Sequence, residues 1–151
     1  MPVSIPALGP CVELADALAF AAARRHGVLV TQKADGRAQL SNITYALMDD
    51  VVVISVTDSR AKTKNLRRDR RASLHVTRED FYAYAVLEGE AELTPVAGAP
   101  DDDTVEALVA HYRLIAGEHP DWDEFRRTMV ADRRLLVRLT PARAYGMLPA
   151  E

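Results

Sequence analysis

The residues with the clearest chemical potential form a basic segment, 60–71, directly after the apolar run 51–57. The segment carries seven Lys or Arg and one Asp, a local charge of +6 in a protein whose formal net charge is −3. Ser59 is a good helix N-cap, so a short helix can follow whose first backbone N–H groups are free to bind an anion. A strand that ends at such a helix, beside Arg60 and Lys62, predicts a phosphate-binding site.

A basic run by itself is more often a solvated helix face. The spacing here is more specific, because Lys62 and Asn65 are three positions apart and share one face of the predicted helix. The other basic residues, Lys64, Arg67, Arg68 and Arg71, spread over the remaining surface. The segment therefore predicts one basic group directed along the strand end and a second directed outward.

A second set of polar residues lies within the predicted strand 37–47. Gln39 and Ser41 lie on one face of that strand, and Asn42 lies on the other. Polar side chains in mid-strand are costly to bury unless a partner hydrogen-bonds them. A bound ligand and ordinary exposure at a sheet edge would both satisfy them, and the residues alone leave the two open.

Aromatic and acidic residues complete the candidates. Tyr82 and Tyr84 share a face of the predicted strand 81–94, where they could pack or form the wall of an aromatic ligand site.

We interpret the acids 101–103 as helix caps and expect no metal site, because no His, Cys or further carboxylate completes a coordination set. No Ser-His-Asp set or acid pair forms a better catalytic site.

Length and composition predict one globular domain over residues 1–151, with 1–10 as a flexible N-terminus. The chain is 48% hydrophobic and 27% charged and has no apolar window long enough to span a membrane. Residues 1–10 lack the pattern of a secretory signal, and the single Cys11 excludes an internal disulfide, so we expect a cytoplasmic protein. The net charge argues against general nucleic-acid binding.

Periodicity and turn residues predict an all-antiparallel sheet with a few helices. A first helix is predicted over 11–25, and two more between 101 and 132. The predicted strands are 27–33, 37–47, 51–57, 71–77, 81–94 and 133–145. Asp35-Gly36 marks a tight hairpin, and Gly89 a bulge that lets one strand serve two halves of a barrel. We therefore predict a mainly β fold with flanking helices, a six-stranded antiparallel split β-barrel.

Several of these segments together resemble a known family. They are 27–31, 35–42, 60–69, 84–89, 100–108, 117–122 and 145–146. In these segments the chain is similar to the pyridoxamine 5'-phosphate oxidase-like proteins, the FMN-binding split barrels of the flavin/deazaflavin oxidoreductase superfamily. The closest likeness is to the coenzyme F420-dependent branch. The resemblance covers roughly residues 13 to 148, nearly the whole chain.

The resemblance implies a homodimer that holds a flavin-like ring between its two protomers, beside the strand with the polar residues. It implies that the cofactor-binding residues are Gln39, Ser41, Asn42, Thr57, Arg60, Ala61, Lys62, Thr63 and Asn65. Tyr82 and Tyr84 would border the substrate pocket, with Tyr84 a weak candidate for proton relay. Relatives often have proline where Ala38 stands and tryptophan where Tyr82 stands, and the second departure leaves the shape of the pocket open.

The function so implied is hydride transfer between coenzyme F420 and an unsaturated small organic substrate. The alternatives are an FMN-binding flavoprotein of the same family and a non-catalytic cofactor or haem carrier. FMN brings one phosphate, whereas the deazaflavin cofactor has a longer anionic tail. The outward basic residues could attract that tail, although salt weakens exposed contacts. We therefore favour F420, mainly on the family likeness.

Overall fold

The structure is a computed structural model that describes residues 12–149. In chain order its elements are α1 Leu14–Ala22, β1 His26–Gln32, β2 Ala38–Thr44, β3 Ala46–Met48, β4 Val51–Thr57, α2 Ala61–Arg68, β5 Arg71–Thr77, β6 Tyr84–Leu93, α3 Asp103–Ala116, α4 Trp122–Ala131 and β7 Arg134–Met147. The predictions for residues 1–10 and for Cys11 fall outside the described residues. No helix within 12–149 has the length and apolar character needed to cross a membrane.

The strands form one antiparallel sheet in the order β2-β1-β5-β6-β7-β4-β3. β2 and β3 are its two edges, yet only Tyr45 separates them in sequence. Two Cα steps span at most about 7.5 Å, so the opposite edges of the sheet must meet there. The sheet therefore curls on itself, and the prediction of a mainly β split barrel with flanking helices is confirmed.

The predicted number of six strands is wrong, because the segment 37–47 forms two strands and not one. The break is at Tyr45, whose N–H donates to the carbonyl of Arg25 at 2.8 Å instead of to a neighbouring strand. Its side chain is fully buried, and its hydroxyl donates to the carbonyl of Ala21 at 2.6 Å. Burial raises the pKa of Tyr45 to about 12. Tyr45 thus ties the seam of the barrel to α1.

A bulge where β6 pairs with β7 allows both strands to bend around the barrel. Glu88 pairs with Arg143 but Gly89 pairs with Pro141, so Ala142 is the extra residue. Pro141 has no N–H, and a proline within a strand is tolerated at such an irregularity. The predicted bulge at Gly89 is confirmed.

Two apolar cores hold the sheet and the helices together. The larger lies inside the barrel and contains large, nearly inaccessible side chains: Leu29, Tyr45, Ile54, Leu74, Leu87 and Leu139. The smaller lies where α3 and α4 cover the outside of β4 and β7, around Val53, Val105, Leu108, Phe125 and Leu136. Each fully buried aliphatic or aromatic side chain contributes about 1.5 to 3 kcal/mol. The second core positions the two helices over the sheet.

α3 and α4 follow the predicted caps, but α1 ends at Ala22 and not at 25, and the bounds of several other elements differ from prediction. Asp102 and Asp121 accept hydrogen bonds from the backbones of α3 and α4, and α3 ends at Gly117 with φ of 78°. α2 is different, because its N-cap is Arg60 and not Ser59. β6 begins at Tyr84 and not at 81, since the preceding residues form a turn.

Candidate functional site

The N-terminus of α2 forms the floor of a basic pocket. Arg60 caps the helix without a side-chain hydrogen bond, and the N–H groups of Ala61 and Lys62 have no acceptor within residues 12–149. The pocket measures about 550 Å³ and is bordered by Thr57, Ser59, Arg60, Ala61, Asp132 and Arg134. We call it the cation pocket. Free N–H groups with guanidinium groups beside them are suited to bind an anion.

Arg134 is the important residue that sequence reasoning missed. It opens β7 and pairs with Thr57 across the sheet. Its Nε is buried and has no hydrogen-bond partner in the described part of the chain. Burial first, and then the positive charges of Arg60 and Arg134, lower the pKa of Lys62. Three cations thus converge, and an anion placed among them would remove their mutual repulsion.

Asp58, which precedes α2, does not neutralise these three cations. Asp58 forms ion pairs with Arg67 at 2.8 Å and with Arg133 at 3.0 Å. Hydrogen bonds from Arg133, and next from Arg67, lower the pKa of Asp58. Its charge is therefore engaged by two other arginines, which leaves Arg60, Lys62 and Arg134 available to a ligand.

A cavity of about 580 Å³ continues from the cation pocket and lies between the barrel and the two helices. We call it the α3–α4 cavity. On the barrel side it is lined by Asn42, Thr44, Ser55, Lys62 and Arg134. On the helix side it is lined by Leu108, His111, Tyr112, Ile115, Phe125 and Met129. Arg134 belongs to both spaces, so the two adjoin.

A third space, of about 480 Å³, lies on the outer face of the sheet. This outer groove is bordered by His26, Val28, Asn42, Thr44, His75 and Thr77. It shares Asn42 and Thr44 with the α3–α4 cavity. The α3–α4 cavity therefore adjoins the outer groove at one end and the cation pocket at the other. Together the three spaces offer a long ligand a path with its basic end at α2.

Strand register divides the polar residues predicted on the second strand. Asn42 pairs with Val28, which pairs with His75, and this row faces the outer groove. Ser41 pairs with the core residue Leu29 and faces the opposite side. Of the three predicted strand residues, only Asn42 borders the outer groove and the α3–α4 cavity, because neighbouring residues of a strand point to opposite faces.

The other polar side chains form hydrogen bonds with one another beneath α2. Asn65 Nδ2 donates to Thr31 Oγ1 at 3.1 Å, and Thr31 Oγ1 donates to Gln39 Oε1 at 3.1 Å. Gln39 Nε2 donates to Ser41 Oγ at 2.9 Å. Thr63 is fully buried and donates to the carbonyl of Thr57 at 2.8 Å. Gln39, Ser41, Thr63 and Asn65 therefore hold α2 to the barrel and do not line the cation pocket.

The two predicted pocket tyrosines are separated. Tyr82 lies in the turn before β6, 78% exposed, and borders none of the three spaces. Tyr84 is half-buried, and its ring centroid lies 5.5 Å from that of His75, with 34° between the planes. Tyr84 thus adjoins the outer groove through His75, whereas Tyr82 lies apart from it.

His111 is a buried titratable residue in the cavity wall, and it predicts a pH effect on stability. Its Nε2 lies 3.1 Å from the carbonyl of Val53, and burial lowers its pKa below the ordinary 6.5. As the pH falls below the ordinary pKa, His111 binds a proton in the unfolded chain but not in the folded chain. The free energy of unfolding should therefore fall. We expect His111→Gln to lose less stability between pH 7.5 and 5.5 in urea titrations. Equal losses would contradict this role.

The sequence and the fold of the chain are similar to those of known proteins. A profile of the family described as pyridoxamine 5'-phosphate oxidase matches residues 15–148. A conserved hypothetical protein from Mycobacterium tuberculosis is 24% identical with a TM-score of 0.71, and the match covers 99% of this chain and 96% of that one. An F420 reductase is 21% identical with a TM-score of 0.56, covering 80% and 88%.

A heme binding protein from Mycobacterium smegmatis is 23% identical with a TM-score of 0.67, and the match covers 93% of this chain but 55% of that one. At these identities the structural likenesses demonstrate the fold alone. The family profile extends from α1 through the end of β7 and so includes every strand of the barrel and the cation pocket. The chain belongs to the pyridoxamine 5'-phosphate oxidase family.

Proposed function

We propose that the protein is a homodimeric oxidoreductase that binds coenzyme F420 and transfers a hydride between it and an unsaturated organic substrate. The observation that carries this proposal is the cation pocket, which Arg60 and Arg134 border with Lys62 close by, and none of these three cations forms an ion pair within residues 12–149. A phosphate bound there would receive both charge-assisted bonds and the free N–H groups of α2.

The cofactor would supply the hydride chemistry, and the protein would bind and orient it. Arg60, Lys62 and Arg134 would hold the phosphate, while Asn42 and His75 would contact the ring system from the adjoining groove. Val28 lies between these two residues on the outer face and offers an apolar surface for a flat ring. Hydride transfer depends on such fixed orientation more than on acid–base groups.

The outer face also supports the proposed dimer. Leu40 is 62% exposed, Met147 55% and Tyr145 41%. Tyr145 pairs with Val86, which pairs with His75, so it shares the face of the outer groove. Exposed apolar residues concentrated on one face are typical of an interface. A second copy placed there would cover the groove and exclude water from a bound ring.

Charge alone does not decide between F420 and FMN. The outward arginines are largely paired, Arg67 with Asp58, Arg70 with Glu92 and Arg71 with Asp69. The three inner cations would suffice for the single phosphate of FMN. Our preference for F420 therefore depends on the likeness to the F420 reductase and not on a basic track for the cofactor's tail.

The experiment is a titration of the purified protein with F420 and with FMN, followed by fluorescence. We expect F420 to bind in the micromolar range and at least about tenfold more tightly than FMN, a difference of about 1.4 kcal/mol. Sedimentation of the same samples should give a dimer. Micromolar FMN binding without measurable F420 binding would reverse the cofactor assignment, and a monomer that binds neither would remove the proposal.

A haem carrier is the second candidate, and two histidines favour it. His26 and His75 both border the outer groove, where either imidazole could ligate iron. The heme binding protein of similar fold is the related precedent. Hemin addition should then give a saturable Soret shift that His75→Ala or His26→Ala abolishes. A shift that both variants retain would show that neither histidine is the ligand.

A further inference from the structure

We infer that Lys62 is a covalent modification site, at which an acyl phosphate bound in the cation pocket transfers its acyl group to the side-chain amine. Such a transfer needs an anion site for the phosphoryl group, a nucleophile beside that site and positive charge that stabilises the departing phosphate. The residues around the start of α2 offer all three. The transfer itself requires only these residues, whereas its effect on activity rests on the proposed function.

The phosphoryl group would bind at the start of α2. The N–H groups of Ala61 and Lys62 have no acceptor within residues 12–149, and Arg60 and Arg134 border the pocket beside them. The buried Nε of Arg134 has no hydrogen-bond partner in the same residues, although nearly all buried polar atoms have one. Backbone donors and guanidinium groups in this arrangement suit the oxygens of a phosphate.

The side-chain amine of Lys62 supplies the nucleophile. Lys62 is half-buried and lines the α3–α4 cavity, which adjoins the cation pocket at Arg134. Burial first, and then the charges of Arg60 and Arg134, lower its pKa, so more of the amine is in the neutral, nucleophilic form. An ion pair would favour the ammonium form, and Lys62 forms none within residues 12–149.

The geometry of an acyl phosphate matches this arrangement, because a single oxygen separates its acyl carbon from its phosphorus atom. A phosphoryl group held by Arg60 and Arg134 places the acyl carbon close to Lys62, which both arginines influence electrostatically. The amine nitrogen forms a bond to the acyl carbon, and the bond from that carbon to the bridging oxygen breaks. The phosphate leaves with the electron pair and takes the proton from the nitrogen, so the products are an amide and inorganic phosphate. The two guanidinium groups and the N–H groups of α2 stabilise the charge that develops on the phosphate.

Acylation would remove the charge of Lys62. The resulting amide cannot form a charge-assisted hydrogen bond, and the added acyl group would occupy space beside the cation pocket. The modified protein would therefore bind an anionic cofactor less tightly, and bound cofactor would protect the amine. The modification would thus couple cofactor binding to the supply of activated acyl groups.

The chain has three lysines, so two of them serve as internal controls. Lys33 and Lys64 are exposed and border neither the cation pocket nor the α3–α4 cavity. The protein is incubated with acetyl phosphate or with acetic anhydride, which has no phosphate, and peptide mass spectrometry measures acetylation of each lysine over time. We expect acetyl phosphate to modify Lys62 at least about tenfold faster than either control lysine, because only there is the reagent held beside the amine. The rate at Lys62 should saturate with acetyl phosphate, and acetic anhydride should show no preference for Lys62.

Substitution of Arg134 tests the anion site separately from the amine. The ratio of the Lys62 rates with acetyl phosphate and with acetic anhydride cancels any change in the reactivity of the amine itself. Arg134→Gln should lower this ratio by about tenfold, since a charge-assisted contact to the phosphoryl group is lost. Arg138→Gln, which replaces an exposed arginine on the same strand, should leave the ratio unchanged. Saturating F420 should protect Lys62 from acetyl phosphate but not Lys64.

Equal rates at the three lysines, or a rate at Lys62 that rises linearly with acetyl phosphate, would overturn the inference. Both are measured on the wild type, so they do not depend on the folding of a variant. An unchanged ratio in folded Arg134→Gln protein would overturn it as well. Selective acetylation of Lys62 in a protein that neither binds F420 nor is protected by it would instead refute only the proposed function.

Discussion

Lys62→Gln is expected to weaken cofactor binding by about 10- to 100-fold, the equivalent of a charge-assisted contact worth about 1.5 to 3 kcal/mol. Lys62 stands at the junction of the cation pocket and the α3–α4 cavity, beside the free N–H groups of α2. Its partial burial reduces competition from water and salt for that contact. Fluorescence titration with F420 measures the loss.

The matched control is Lys64→Gln. Lys64 is exposed on the same short helix and borders none of the three spaces, so its substitution should change affinity less than about twofold. We also expect Lys62→Gln to leave the free energy of unfolding unchanged or higher, because it relieves repulsion from Arg60 and Arg134. Equal affinities for the two variants would exclude Lys62 from the site.

Gly89→Ala should lower the free energy of unfolding by roughly 1 to 3 kcal/mol, the usual cost of overpacking. Gly89 lies at the bulge where β6 bends to pair with both parts of β7. A Cβ atom there would overlap the carbonyl oxygen of Thr140, which belongs to the backbone of the adjacent strand. A backbone atom cannot rotate away as a side chain does, so the two strands must separate.

Gly98→Ala is the control for this substitution. Gly98 lies in the loop before α3, and the nearest atom to an added Cβ is a carboxylate oxygen of Asp102 at 3.7 Å, an ordinary contact. We expect a change within about 0.5 kcal/mol. Urea unfolding of both variants beside the wild type gives the comparison. A Gly89→Ala protein as stable as Gly98→Ala would show that the bulge is not sterically required.

Features that depend on neighbouring residues could be predicted from the sequence. Gly36 adopts φ of 87° in the predicted Asp-Gly turn, and Asp35 accepts from the N–H of Arg37 at 3.0 Å. The caps at Asp102 and Gly117 are of the same kind. Each such preference is decided within about four positions of the chain. The sequence therefore determined most of the elements, the mainly β class and the basic segment at α2.

Pairings across long separations were decided only by the tertiary structure. Arg134 joins Lys62 because β4 and β7 pair in one register, although 71 positions separate the two in sequence. Tyr45 ends β2 because its N–H donates to the carbonyl of Arg25 and its hydroxyl donates to the carbonyl of Ala21 in α1. Thr31 of β1 hydrogen-bonds both Asn65 of α2 and Gln39 of β2. Such contacts follow from burial and register over the whole chain, which local spacing does not encode.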